Sequence, residues 1–125
     1  MGGRGQKFFL KGKGKKISKD AIIKRNKLKN YLLNPTKSNG KSAIFTDLGY
    51  NMSNWKRLEK DIRSGLLQAT KDDTLKLNRV NKKGEGIYNA EMSLGIGKKR
   101  KMVTGWIVKD TSGVLNFVTA FPSRK

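Results

Sequence analysis

The chain has 125 residues, the size of one domain, and 35% apolar content with two Trp, five Phe and three Tyr, enough for a modest core and too aromatic for a wholly disordered basic tail. Its 29 Lys and Arg against nine Asp and Glu leave a net charge of +20, far more than solubility needs, so a polyanionic partner is expected, nucleic acid before a membrane surface. With neither Cys nor His there is no disulfide, no thiolate zinc site and no histidine proton shuttle, and no apolar run reaches the roughly 18 residues of a membrane span.

Met1 to Lys16 holds six basic residues, five glycines and no acids. Residues 1–16 therefore read as a flexible basic arm, either an unstructured leader or a grip on phosphates through groups such as Lys15 and Lys16. Residues 17–125 read as a single α+β domain, with N-terminal helices over about 18–68 packed on one face of a C-terminal antiparallel sheet of four or so strands over about 73–122.

Ser18 is placed to cap a helix from Lys19 in which Ala21, Arg25, Leu28 and Leu32 share a face up to Asn34-Pro35. A short helix is expected through Ala43, Ile44, Phe45 and Leu48, closed by Gly49. Ser53 is expected to cap a third, in which Trp55, Leu58, Ile62 and Leu66 recur at helical spacing and Glu59 pairs with Arg63. The period then changes to two. Leu75, Leu77 and Val80 suggest a short strand, and Tyr88 to Ile96 alternates apolar with polar before a turn at Gly97-Lys98-Lys99. Met102, Thr104, Trp106 and Val108 share one face of the next strand; after a turn over Asp110 to Gly113, strict alternation puts Leu115, Phe117, Thr119 and Phe121 together on the last.

The phosphate-binding loops fail, because Gly84-Glu85-Gly86 and Gly95-Ile96-Gly97 do not join a strand to a parallel-sheet helix, and Asn39-Gly40-Lys41-Ser42 lacks the earlier glycine of a Walker loop. Gly40-Lys41-Ser42 opens a helix, so Lys41 and Ser42 either hold one phosphate or form a cap with a solvated lysine. The carboxylates are scattered, with only Asp72-Asp73 adjacent, which speaks against a metal site. RNA cleavage through the 2′-hydroxyl asks for less: a base, a donor and positive charge at the phosphate. By chemical type a lysine with cationic neighbours suits the first role, Tyr88 or Thr119 the second, Arg100 and Lys101 the third.

The C-terminal order Tyr88, Thr104-Gly105-Trp106-Ile107-Val108 and Leu115-Asn116-Phe117-Val118-Thr119-Ala120-Phe121-Pro122 resembles the ending of small toxin domains in the barnase, EndoU, colicin D and RelE superfamily of RNases. The block Lys29-Asn30-Tyr31-Leu32-Leu33-Asn34-Pro35, Gly40-Lys41-Ser42, Phe45, Leu48-Gly49-Tyr50, Asn54-Trp55 and Leu58 is similar to an uncharacterised branch found in polymorphic toxins and phage proteins. The resemblance spans about Leu28 to Pro122. It implies a metal-independent ribonuclease without cofactors, directed at tRNA or other RNA and partnered by an acidic immunity or antitoxin protein. Such a domain would act in the cytoplasm, after delivery from another cell or as part of a larger secreted or phage protein. The resemblance implies a cleft on the sheet face without helices, holding Thr104, Trp106 and Thr119; Lys29 and Lys41 are the candidates to replace the missing histidine. The alternative expectation is a non-catalytic basic nucleic-acid-binding protein that stacks bases on Trp55 or Trp106.

Overall fold

The structure, a computed structural model, describes residues 14–36, 40–108 and 113–123, with the side chains of 14–16 left aside. Most of the expected arm, and the side chains of Lys15 and Lys16, lie outside the described residues, as does most of the turn over Asp110 to Gly113. Helices come first and a four-stranded antiparallel meander comes after them, an α+β arrangement in the strand order β1-β2-β3-β4.

The expected first helix is broken into pieces. Helix α1 covers Gly14–Asp20, and a short α2, Arg25–Lys27, runs into a π-helical turn at Leu28–Leu32. Between them Ile22 bridges in parallel to Asn116: its N–H donates to the Leu115 carbonyl at 2.8 Å and its own carbonyl accepts from Phe117 N–H at 2.8 Å. Two tertiary backbone bonds thus replace the helical ones that periodicity suggested for this segment, and burial of Ala21 and Ile23 anchors it. Ser18 caps nothing at this helix; its hydroxyl donates to the Arg63 carbonyl at 2.7 Å.

Helix α3, Lys41–Asp47, lies between two glycines with positive φ, Gly40 and Gly49. Asn51, not Ser53, caps the next helical segment: its side chain accepts from Ser53 N–H and Asn54 N–H, and Asn54 returns the bond to Asn51 N–H in a capping box. A 3-10 turn, Met52–Asn54, then leads into helix α4, Trp55–Lys71, whose Leu58, Ile62 and Leu66 are fully buried. Gly65 lets α4 press against the sheet, since a Cβ there would stand 2.8 Å from Met92 Cβ.

The strands are β1 Leu75–Val80, β2 Gly86–Leu94, β3 Arg100–Val108 and β4 Asn116–Pro122. Tyr88, Ala90, Met92 and Leu94 of β2, with Met102, Thr104, Trp106 and Val108 of β3, are buried on the helix-covered face. On the opposite, outer face stand Asn89, Glu91 and Ser93, Lys101, Val103 and Ile107, Thr119 and Phe121, none of them buried. Strict alternation fails once, in β4. The register runs Gly105↔Thr119 but Trp106↔Phe117, so Val118 is an extra residue. That bulge rotates the strand by one position: Leu115, Phe117 and Ala120 are buried, whereas Thr119 and Phe121 pass to the outer face.

Candidate nucleic-acid interface

Lys41 Nζ donates to Thr119 Oγ1 at 2.8 Å, linking the first turn of α3 to the middle of β4 across 78 positions of sequence. The ammonium also lies 5.8 Å from the ring centroid of Tyr31, on the π-helical turn, close enough for a cation–π contact. Thr119 stands opposite Gly105, where a Cβ would come 3.4 Å from Thr119 Cγ2, so the methyl packs over bare backbone and the hydroxyl meets the lysine. Because that hydroxyl accepts from Lys41, its own hydrogen is free to point elsewhere, and the ammonium keeps further N–H donors. One positive charge and two kinds of donor at one half-buried point have the chemistry to hold an anion.

The remaining candidates divide. Thr104 and Trp106 are both 0% exposed. The Thr104 hydroxyl donates to the Ala90 carbonyl at 3.1 Å and accepts from Trp106 Nε1 at 2.8 Å, and the indole packs edge-on against Phe117 with centroids 5.3 Å apart. Expected in a cleft, they are core instead, because the face they share is the one α4 covers; Trp106 cannot stack on a base. Tyr88 is on the same buried face, which keeps its phenol away from RNA; the same burial raises its ionisation above the usual range. Ser42 is buried too, so its hydroxyl does not join Lys41 at the surface. Lys29 is half-buried on the π-helical turn, while Arg100 and Lys101 are exposed at the start of β3, Lys101 on the same outer face as Thr119. Trp55 is half-buried at the head of α4, with Lys56 Nζ 6.0 Å from its ring centroid.

Further groups belong here that the sequence alone does not single out. Next to Thr119, Val118 helps wall a cleft of about 200 Å³ with Ile22 and Ile107, flanked by Lys24 and Lys27. Alternation from buried Phe117 already turns Val118 outward; the bulge is what sets Thr119 on the same side, and no local pattern announces a bulge. Gly105 carried a usable signal, since a glycine inside a strand often marks close approach. A larger cleft of about 380 Å³ opens between α4 and the end of β2, lined by Asp61, Asp72 and Glu91 as well as Lys99, and it shares Lys101 with the outer face. Its mixed charge suits a polyanion less well than the Lys41 side. Among the described residues no three acids are placed to hold a metal ion, and no helix is long and apolar enough to cross a membrane.

A family model described as a domain of unknown function, DUF6883, matches residues 15–124. No curated protein and no solved structure matches the chain.

Proposed function

The chain belongs to the DUF6883 family, and we propose that it is a metal-independent RNA endonuclease that holds the scissile phosphate at Lys41 and Thr119. The observation that carries this reading is the 2.8 Å bond between those two side chains at the outer surface of a domain with net charge +20. In transesterification the 2′-oxygen gives up its proton to water and attacks phosphorus while the bond to the 5′-oxygen breaks and that oxygen takes a proton from water, leaving a 2′,3′-cyclic phosphate; the phosphate gains negative charge in the transition state. The Lys41 ammonium offsets that charge and the Thr119 hydroxyl donates to a non-bridging oxygen, both held in place before substrate arrives. Lys101, Lys24 and Lys27 extend the positive surface along neighbouring phosphates. A toxin that cleaves tRNA in the cytoplasm, restrained by an acidic partner on the same surface, is the biological setting this chemistry fits best.

The test is incubation of the purified protein with total tRNA in EDTA at several salt concentrations. Cleavage is expected, and Thr119→Ala and Lys41→Ala should each lower its rate by about 10²-fold or more, the scale of losing one preorganised donor, while the thermal midpoint stays close to wild type. Intact RNA at micromolar protein would overturn the catalytic reading; loss of folding in both variants would make the pair structural. One observation favours a second reading, a non-catalytic RNA-binding protein: burial takes Tyr88, Thr104 and Trp106 away from any bound strand. Tight, salt-sensitive binding without scission selects it.

A further inference from the structure

Among the described residues, the large apolar side chains left exposed are aliphatic with one exception, Phe121, which is 40% exposed. Aromatic rings are usually the first side chains a small domain buries, because each withdraws a large apolar area from water. This chain buries Phe45, Phe117, Tyr50 and Trp106 almost completely, so the exposure of Phe121 is not for want of core. Nor is it a fraying end. Phe121 is paired in register with Val103, and the backbone continues in the sheet's hydrogen bonding as Ser123 N–H donates to the Lys101 carbonyl at 3.0 Å.

The bulge at Val118 fixes where the ring stands. Thr119 and Phe121 are two apart on one strand with no irregularity between them, so they share the outer face about 7 Å apart, and buried Ala120 points the other way. An exposed ring therefore stands beside the Lys41 and Thr119 pair, with Lys101 near its other side. Cations set around an aromatic face match a single-stranded polyanion, whose bases have free π-faces to stack. A duplex already stacks its bases on one another and has nothing to offer the ring.

We infer that Phe121 is a stacking platform for an unpaired base, so that the site takes single-stranded or looped RNA in preference to duplex. The inference rests on the reading of RNA as the partner and names the form of RNA taken. It is a statement about binding, so it holds for either catalytic or non-catalytic RNA-binding function.

The experiment measures anisotropy of a fluorescently labelled unstructured RNA oligonucleotide, and of a blunt RNA duplex with the same number of phosphates, against the full chain in EDTA. Phe121→Ala is expected to weaken single-strand binding by about 5- to 150-fold, the factor corresponding to loss of one stacked base, with duplex binding unchanged. Phe121→Trp should restore single-strand binding, and Phe121→Leu, which keeps apolar bulk without a π-face, should not. Equal single-strand affinity in Phe121→Ala and wild type overturns the inference, as does an equal loss on both RNAs. Wild type that binds neither RNA sinks the RNA reading itself, a result visible before any variant is made. Thermal midpoints of the three variants should match wild type, as the side chain is exposed; a variant that melts early would show that the ring belongs to the fold, which also overturns the platform.

Discussion

Thr104 and Thr119 carry the same hydroxyl, and their surroundings alone decide what each can do. Thr104 spends both its donor and its acceptor inside the core, on Ala90 and on the Trp106 indole, whereas Thr119 accepts from one lysine and keeps its proton for another partner. Residue type was legible in the sequence; environment was not. Tyr50 gives a case with a measurable pH signature. Its fully buried phenol donates to Asp61 Oδ2 at 2.6 Å and accepts from the buried Gly95 N–H at 2.9 Å. Burial first, then the bond to Asp61, pushes its ionisation well above the usual value. The unfolded tyrosine loses its proton near pH 10 and the folded one only later, so this contribution to stability is intact below about pH 10 and declines as pH rises past it. Tyr50→Phe should cost about 1–3 kcal/mol at neutral pH, because Gly95 N–H loses its acceptor, and should make the alkaline decline shallower. Tyr88, raised in the same direction by burial, keeps the slope from vanishing. Denaturant titrations at about pH 8 and about pH 11 compare the two proteins.

Elements with strong, uninterrupted periods were the ones the sequence revealed. Helix α4 shows this through Leu58, Ile62 and Leu66, and β2 and β3 through Tyr88 to Leu94 and Met102 to Val108. Misread elements depend on contacts far away in sequence. The segment around Ile22 has a helical apolar spacing but bonds to Leu115 and Phe117 instead, and β4 has an alternating pattern that one inserted residue shifts. The candidate site inherits this division: Lys41 and Thr119 stand out by chemical type, but the outward turn of Thr119 and Phe121 needed the bulge, and Tyr31 needed the fold. How α4 meets the sheet is testable at this scale. Alanine at Gly65 would gain helix propensity of about 1 kcal/mol, yet its Cβ would meet Met92 Cβ at 2.8 Å, and a strand Cβ cannot swing aside as the Met92 sulfur can. Gly65→Ala should therefore destabilise by about 1–3 kcal/mol through overpacking, and the penalty should persist in a Met92→Ala background, which keeps the Cβ, and disappear in a Met92→Gly background, a coupling that a double-mutant cycle of unfolding free energies reads directly.

For the whole molecule, charge and sheet edges act against each other. Every protein with an open sheet must keep its two outer strands from pairing with neighbours. At one edge β1 carries Lys76 and Arg79 and a bulge after Leu77. The other edge, at the start of β4, is capped by the short bridge through Ile22. Beside the burial of Ala21 and Ile23, one side chain ties the segment before that bridge to α4: Arg63 donates from Nη1 to the carbonyls of Ser18 at 2.8 Å and Ala21 at 2.8 Å, while Glu59 steadies the guanidinium at 3.1 Å. Arg63 thus acts as a latch on the segment that covers β4. Arg63→Ala should let that segment lift and leave a bare strand edge beside exposed Ile22 and Val118. At low ionic strength the like charge of neighbouring molecules keeps them apart, so the variant should sediment as wild type does; above about 0.5 M salt, where the screening length falls below about 5 Å, it should self-associate while wild type does not. Light scattering across a salt series checks both arms. The dense positive charge, otherwise a lure for polyanions, would then also be the molecule's defence against its own kind, and salt the agent that removes both at once.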